Sequence, residues 1–104
     1  MLRNSKKEFI YALKVTARLR EEENWRENHR KTLENHFKYL KNLLSEGKLI
    51  MAGDTCVTEK SDVELVIIKA YTEEEAKNLM NNDPGIKEGI MEGSIYNFKI
   101  SLKS

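Results

Sequence analysis

Cysteine, proline and net charge are all scarce in this chain. Its single thiol, Cys56, cannot close an internal disulfide, so no disulfide framework holds the fold, which suits a reducing compartment. The only proline, Pro84, falls in the break Asp83-Pro84-Gly85. Eighteen Lys and Arg against 17 Asp and Glu leave a net charge of +1. No field of one sign would draw the chain to nucleic acid or to an anionic membrane. No apolar run approaches the ~20 residues that cross a bilayer. The opening MLRNSKKEF is basic but lacks the apolar segment of a signal peptide, so a cytoplasmic location is expected. No P-loop, GxGxxG or GxSxG is present.

What remains is a chain of 104 residues, 39% hydrophobic and 34% charged. That composition suits one globular domain with a modest core and a heavily charged surface. Phe9 to Thr16 reads as a strand, with Phe9, Tyr11, Leu13 and Val15 on one side and Ile10 and Ala12 on the other. A charged connector, Ala17 to Glu23, precedes a long helix. Asn24 and Glu27 are spaced for a capping box, which starts that helix near Trp25. Leu33, Phe37, Leu40 and Leu44 recur at three and four as its apolar face. His36 lies at the edge of that face. Gly47 supplies a left-handed stop.

Lys48 to Gly53 is a short second strand, and Asp54 to Asp62 is a polar, turn-like link. Val63 to Tyr71 is a third strand, with Val63, Leu65 and Ile67 on one side and Val66, Ile68 and Ala70 on the other. Thr72 and Glu75 cap a second helix whose stripe is Ala76, Leu79 and Met80. Asp83 as cap and Pro84 at the first position open a short third helix through Glu88. Ser94 to Leu102 is the last strand, with Tyr96, Phe98, Ile100 and Leu102 alternating with polar residues as on an edge strand with one wet face.

The order β-α-β-β-α-β is the ferredoxin-like split βαβ arrangement, an α+β fold. Right-handed crossovers put both helices on one face of a four-stranded antiparallel sheet. The first and third strands, apolar on both faces, are expected at its centre. The face away from the helices then needs a cover, and a second copy in a two-fold homodimer is the simplest one.

His36–Gly53 (HFKYLKNLLSEGKLIMAG) and Thr72–Ile90 (TEEEAKNLMNNDPGIKEGI), with a closing aromatic strand, resemble the YciI-like (YCII-related) family of dimeric α+β barrel proteins. The resemblance spans roughly Phe9 to Leu102. It rests on a helical His, Glu-Gly-x-Leu, Ala-Gly, and Asn-Asp-Pro after the second helix. It implies a ferredoxin-like protomer, a dimer, and a His–Asp pair that carries over as His36 and Asp83. Most members have no assigned reaction. A few resemble cofactor-free enzymes, including a dehydrochlorinase of chlorinated aromatic compounds and fold relatives that isomerise muconolactone. Three features depart from the family: Asp54 stands where a proline commonly follows Ala-Gly, Tyr96-Asn97-Phe98 stands where His-Pro-Phe or similar is often found, and the connector before the first helix is unusually charged.

A carboxylate beside an imidazole fixes its tautomer and raises its pKa, giving a general acid or base near neutrality. Elimination, isomerisation or hydrolysis of a small carbonyl-bearing molecule would suit such a pair, with no cofactor and no metal. The plainer reading makes Asp83 a helix cap and His36 a satisfied residue at the edge of the core. His29, seven residues before His36, reads as solvated or capping, since nothing completes a metal ligand set. Tyr11 and Tyr39 are candidate substrate-binding hydroxyls, with core packing as the alternative. Trp25 reads as a lid, an interface anchor or a staple for the connector. Cys56 has no basic neighbour nearer in sequence than Lys60 to activate it. Three functions follow: an acid/base enzyme, a non-catalytic ligand-binding or regulatory module, or a purely structural interaction domain.

Overall fold

A computed structural model describes residues 5–55 and 62–104. The expectations placed on Cys56, on Lys60 and on most of the link after Asp54 lie outside the described residues. The elements are β1 (Lys7–Val15), α1 (Glu27–Ser45), β2 (Leu49–Asp54), β3 (Glu64–Ala70), α2 (Glu73–Asn81), α3 (Pro84–Lys87) and β4 (Met91–Phe98). The strands pair antiparallel in the order β2-β3-β1-β4, so β1 and β3 are central, as their two-sided apolar pattern requires. This is the ferredoxin-like α+β arrangement.

Alternation along each strand divides the sheet into two faces. Phe9, Tyr11 and Leu13 of β1 meet Val66, Ile68 and Ala70 of β3 on the buried face, beneath Leu40, Leu43, Ala76 and Met80 of the helices. Each large apolar side chain buried there contributes about 1.5–3 kcal/mol. On the other face Ile10 stands between Ile67 and Tyr96 in the strand register. Met51 and Tyr96 there are 58% and 56% exposed, so the apolar outer face lies open on the single chain.

Several boundaries differ from expectation, most at the start of α1 and in β4. Helix α1 begins at Glu27, two residues later than the capping-box spacing predicts. Asn24 does not cap it; its Nδ2 donates to the carbonyl of Arg18 at 2.7 Å. Two 3-10 turns, Ala17–Arg20 and Glu22–Asn24, fold the connector around the buried Leu19. Trp25 Nε1 donates to the Leu19 carbonyl at 2.6 Å, which pins that connector to the helix start. The first-turn cap is instead His29, whose Nδ1 accepts from the Arg26 amide at 2.9 Å.

The buried face of α1 is also turned from its expected position. Leu33, His36, Leu40 and Leu43 face the sheet, whereas Phe37 and Leu44 are 48% and 57% exposed. A cap is worth about 1 kcal/mol, less than burying Leu40 and Leu43, so packing sets the rotation of the helix. At its end Gly47 takes φ +75°, the Gly47 amide donates to Leu44 and the Lys48 amide to Leu43. This is a Schellman stop, and the left-handed residue is the expected glycine.

Strand β4 runs from Met91 to Phe98, three residues earlier than predicted at its start and four shorter at its end. Its register with β1 runs from Val15↔Met91 to Glu8↔Phe98, so the ladder stops near the start of β1. The face is reversed as well. Met91 and Ile95 point to the core, while Tyr96 and Phe98 point away from the helices. Gly93 sits between them, where a Cβ would come within 2.8 Å of Met80 Sδ. A glycine there lets α2 approach β4 closely.

Candidate functional site

Asp83 is where the chain leaves α2 and enters α3. Pro84 at the first helical position fixes φ for the turn, and Asp83 Oδ1 accepts from the Gly85 amide at 2.9 Å. The cap is therefore present, yet the same carboxylate is fully buried and reaches across the core. His36 Nδ1 lies 2.7 Å from its Oδ1 and 2.9 Å from its Oδ2. The Tyr11 hydroxyl donates to Oδ2 at 2.9 Å. Capping and pairing with His36 are thus two tasks of one side chain.

The other imidazole nitrogen is also engaged. His36 Nε2 is 2.7 Å from Oε1 of Glu64, the first residue of β3. An ionised carboxylate only accepts, so two carboxylates on one ring call for two N–H donors, hence an imidazolium. Burial, the largest single influence, lowers the pKa of His36. The hydrogen bonds and charges of Asp83 and Glu64 together outweigh it and push the value up to about 9. Tyr11 is driven upward by its burial first and then by the Asp83 carboxylate, so its hydroxyl stays a donor.

Of these groups only Glu64 reaches a surface. Asp83 and His36 side chains are fully buried, whereas that of Glu64 is 12% exposed. It opens on a cleft of about 160 Å³ walled by Leu13, Leu33, Phe37 and Met91, with Asp54 and Asp62 also at its lining. The Phe37 ring stands 5.3 Å from the imidazole, centroid to centroid, tilted by 52°. Asp54 lies opposite Glu64 in the β2–β3 register. Its carboxyl is raised by burial and by the charges of Glu64 and Asp62, against a lowering by His36.

The residues picked out in the sequence come together only in part. His36 and Asp83 meet directly. Tyr11 joins them, but its hydroxyl serves Asp83 in the core and not a ligand-accessible surface. Tyr39 stands apart from the pair's hydrogen bonds: its hydroxyl donates to the Leu79 carbonyl at 2.6 Å, tying α1 to α2. Burial, followed by the charges of Asp83 and Glu46, pushes its pKa up to about 12. His29 caps α1 and packs edge-on against Trp25 at 5.9 Å. Among the described residues, no group of three or more His, Cys, Asp or Glu is arranged to hold a metal ion. None of their helices is long and apolar enough to cross a membrane.

Glu64 is the site residue that the sequence reading does not name. It falls in phase with Val66, Ile68 and Ala70, the buried side of β3. A carboxylate at a core-facing position needs a buried partner, and the phase of the strand supplied that signal.

The βαββαβ chain, with His36 and Asp83 buried between its long helix and its sheet, is a small α+β fold. The model of the YCII-related domain matches residues 10–99, and the chain belongs to that family. Two solved structures share the fold. One is a 5-chloro-2-hydroxyhydroquinone dehydrochlorinase from Burkholderia phenoliruptrix AC1100, in complex with 2,5-dihydroxybenzoquinone. It is 19% identical, with a TM-score of 0.59 over 88% of this chain and 93% of that one. The other is a conserved protein from Bacteroides thetaiotaomicron VPI-5482, described as a possible oxidoreductase. It is 15% identical, with a TM-score of 0.54 over 93% of this chain and 99% of that one. No curated protein matches the chain.

Proposed function

We propose that this protein is a small-molecule enzyme that works by proton transfer, with His36 as the acid/base group and Asp83 as its orienting partner. The reaction class is elimination or isomerisation of a small carbonyl-bearing molecule, and it draws on no group beyond the protein's own side chains. One observation carries this reading: an imidazole held in the core by carboxylates on both nitrogens, one of which opens on a cleft. A titratable group perturbed by a specific charge partner beside a cleft is a candidate for a functional site. Membership of the family and the dehydrochlorinase among its fold relatives lend the reading further support.

With a pKa near 9, His36 is charged at neutral pH and enters the reaction as an acid. NMR titration of the His36 ring is the direct test. The expected midpoint is near 9, and Asp83→Asn should bring it down by at least one unit. A midpoint at the ordinary histidine value, indifferent to that substitution, would remove the basis for catalysis. A ligand that binds in the cleft without being converted would favour a binding module instead.

The working form in this proposal is a homodimer joined through the outer sheet face. Along β1 that face reads Glu8, Ile10, Ala12, Lys14, acid at one end and base at the other. A two-fold axis between Ile10 and Ala12 sets the acid of each copy against the base of the other and covers the apolar residues between. Sedimentation equilibrium should give the mass of two protomers, and Ile67→Lys should shift it toward one. A monomer at high concentration would overturn the assembly.

A further inference from the structure

Resting on the protonated His36 of that reading, we infer that Glu64 is the base that takes a proton from the substrate, and that its cleft accepts small, flat, uncharged or cationic carbon acids. The argument starts from position. From inside outward the groups run Tyr11 and Asp83, then His36, then Glu64, and only the last lines the cleft. A substrate in that cleft meets the Glu64 carboxylate before it meets the ring. The imidazole also has no lone pair to offer, because both of its nitrogens donate to carboxylates. An isomerisation or elimination begins with a base that takes a proton, and of the groups hydrogen-bonded through His36, Glu64 is the carboxylate that lines the cleft.

The substrate class follows from the walls. Leu13, Leu33, Phe37 and Met91 present apolar surface that suits a flat, small molecule. Among the described residues, His36 from α1 is hydrogen-bonded to Glu64 and Asp54 from β2 stands opposite it. An anionic group entering there would lie beside the Glu64 and Asp54 carboxylates, which disfavours it by like-charge repulsion. In the step itself the substrate C–H bond breaks and its electron pair stays on the substrate. That pair becomes an enolate or expels a leaving group at the neighbouring atom. A new O–H bond forms on Oε2 of Glu64, while Oε1 keeps its hydrogen bond from His36 Nε2. The proton then returns to a different substrate carbon or passes to water.

The probe is 5-nitrobenzisoxazole, an uncharged flat carbon acid whose C–H removal breaks its N–O bond and releases a coloured cyanophenolate. It is mixed with the full chain between about pH 5 and pH 10, spanning the ordinary Glu and His values. Elimination should exceed the buffer rate, stay level through neutrality, and fall about 10²-fold or more in Glu64→Gln. A rate that instead climbs with a midpoint near 9 and survives Glu64→Gln would make the imidazole the base. That result would overturn this inference and the entry of His36 as an acid, while His36 and Asp83 would remain the proton-transfer pair. No elimination above Glu64→Gln would overturn it too. The profile of the unaltered protein separates the two bases even where the variant does not fold. The His36 titration described above tests the underlying reading on its own.

Discussion

Between pH 6.5 and pH 9 the unfolding free energy will fall by on the order of 3 kcal/mol. The sign comes from His36. Its pKa is about 9 in the folded chain against 6.5 for an ordinary histidine, so across that window the native state binds more protons than the unfolded one. Stability from the charged ring is complete below the lower value and is lost as pH rises through the upper one. His36 and Asp83 are both fully buried, so solvent screening does not dilute the effect. Tyr11 and Tyr39, raised above the ordinary tyrosine value, titrate outside the window. Urea unfolding at stepped pH with a constant m-value measures the slope. Stability that is flat or rises between neutrality and pH 9 would mean that the ring is neutral in the fold.

Asp83→Ala should cost about 3–5 kcal/mol, the range for removing one partner of a buried charge pair. The carboxylate takes bonds from His36, Tyr11 and Gly85, and alanine leaves all three donors in the core without it. Native domains hold only about 5–15 kcal/mol in total, so this variant should melt far below the parent or fail to fold. Asp83→Asn keeps an acceptor for the Gly85 amide and should retain more stability. It should also flatten the pH slope, because the charge that holds the His36 proton is gone. Thermal melts of both variants check the order. A loss below about 0.5 kcal/mol for Asp83→Ala, as at an ordinary surface site, would show that the pair is not the keystone of this core.

These outcomes depend on contacts that the sequence revealed unevenly. The alternation in β1 and β3 and the caps at Thr72 and Asp83 were all legible, because they are local. Thr72 Oγ1 accepts from the Glu75 amide at 3.1 Å as the spacing predicts, although Glu75 reaches the Tyr71 amide and not that of Thr72. The rotation of α1 was not legible. Leu33 and Leu40 belong equally to a stripe through Phe37 and Leu44 and to one through His36 and Leu43. Only the sheet beneath them chooses between the two. Tyr96 and Phe98 misled for the same reason: alternation gives a period of two, and the pairing of Tyr96 with Ile10 decides which side is dry.

By itself the sequence determined which elements form, their order, and hence the sheet in which β1 and β3 are central. Periodicity, capping and the left-handed glycine at position 47 act within a few residues and need no distant partner. Tertiary structure alone decided that His36 lies at the centre of the buried face, that Tyr11 serves Asp83, and that Glu64 closes the second ring nitrogen. Those contacts join residues 72, 47 and 28 positions apart, and their energy depends on a dry interior that exists only once the helices have closed over the sheet.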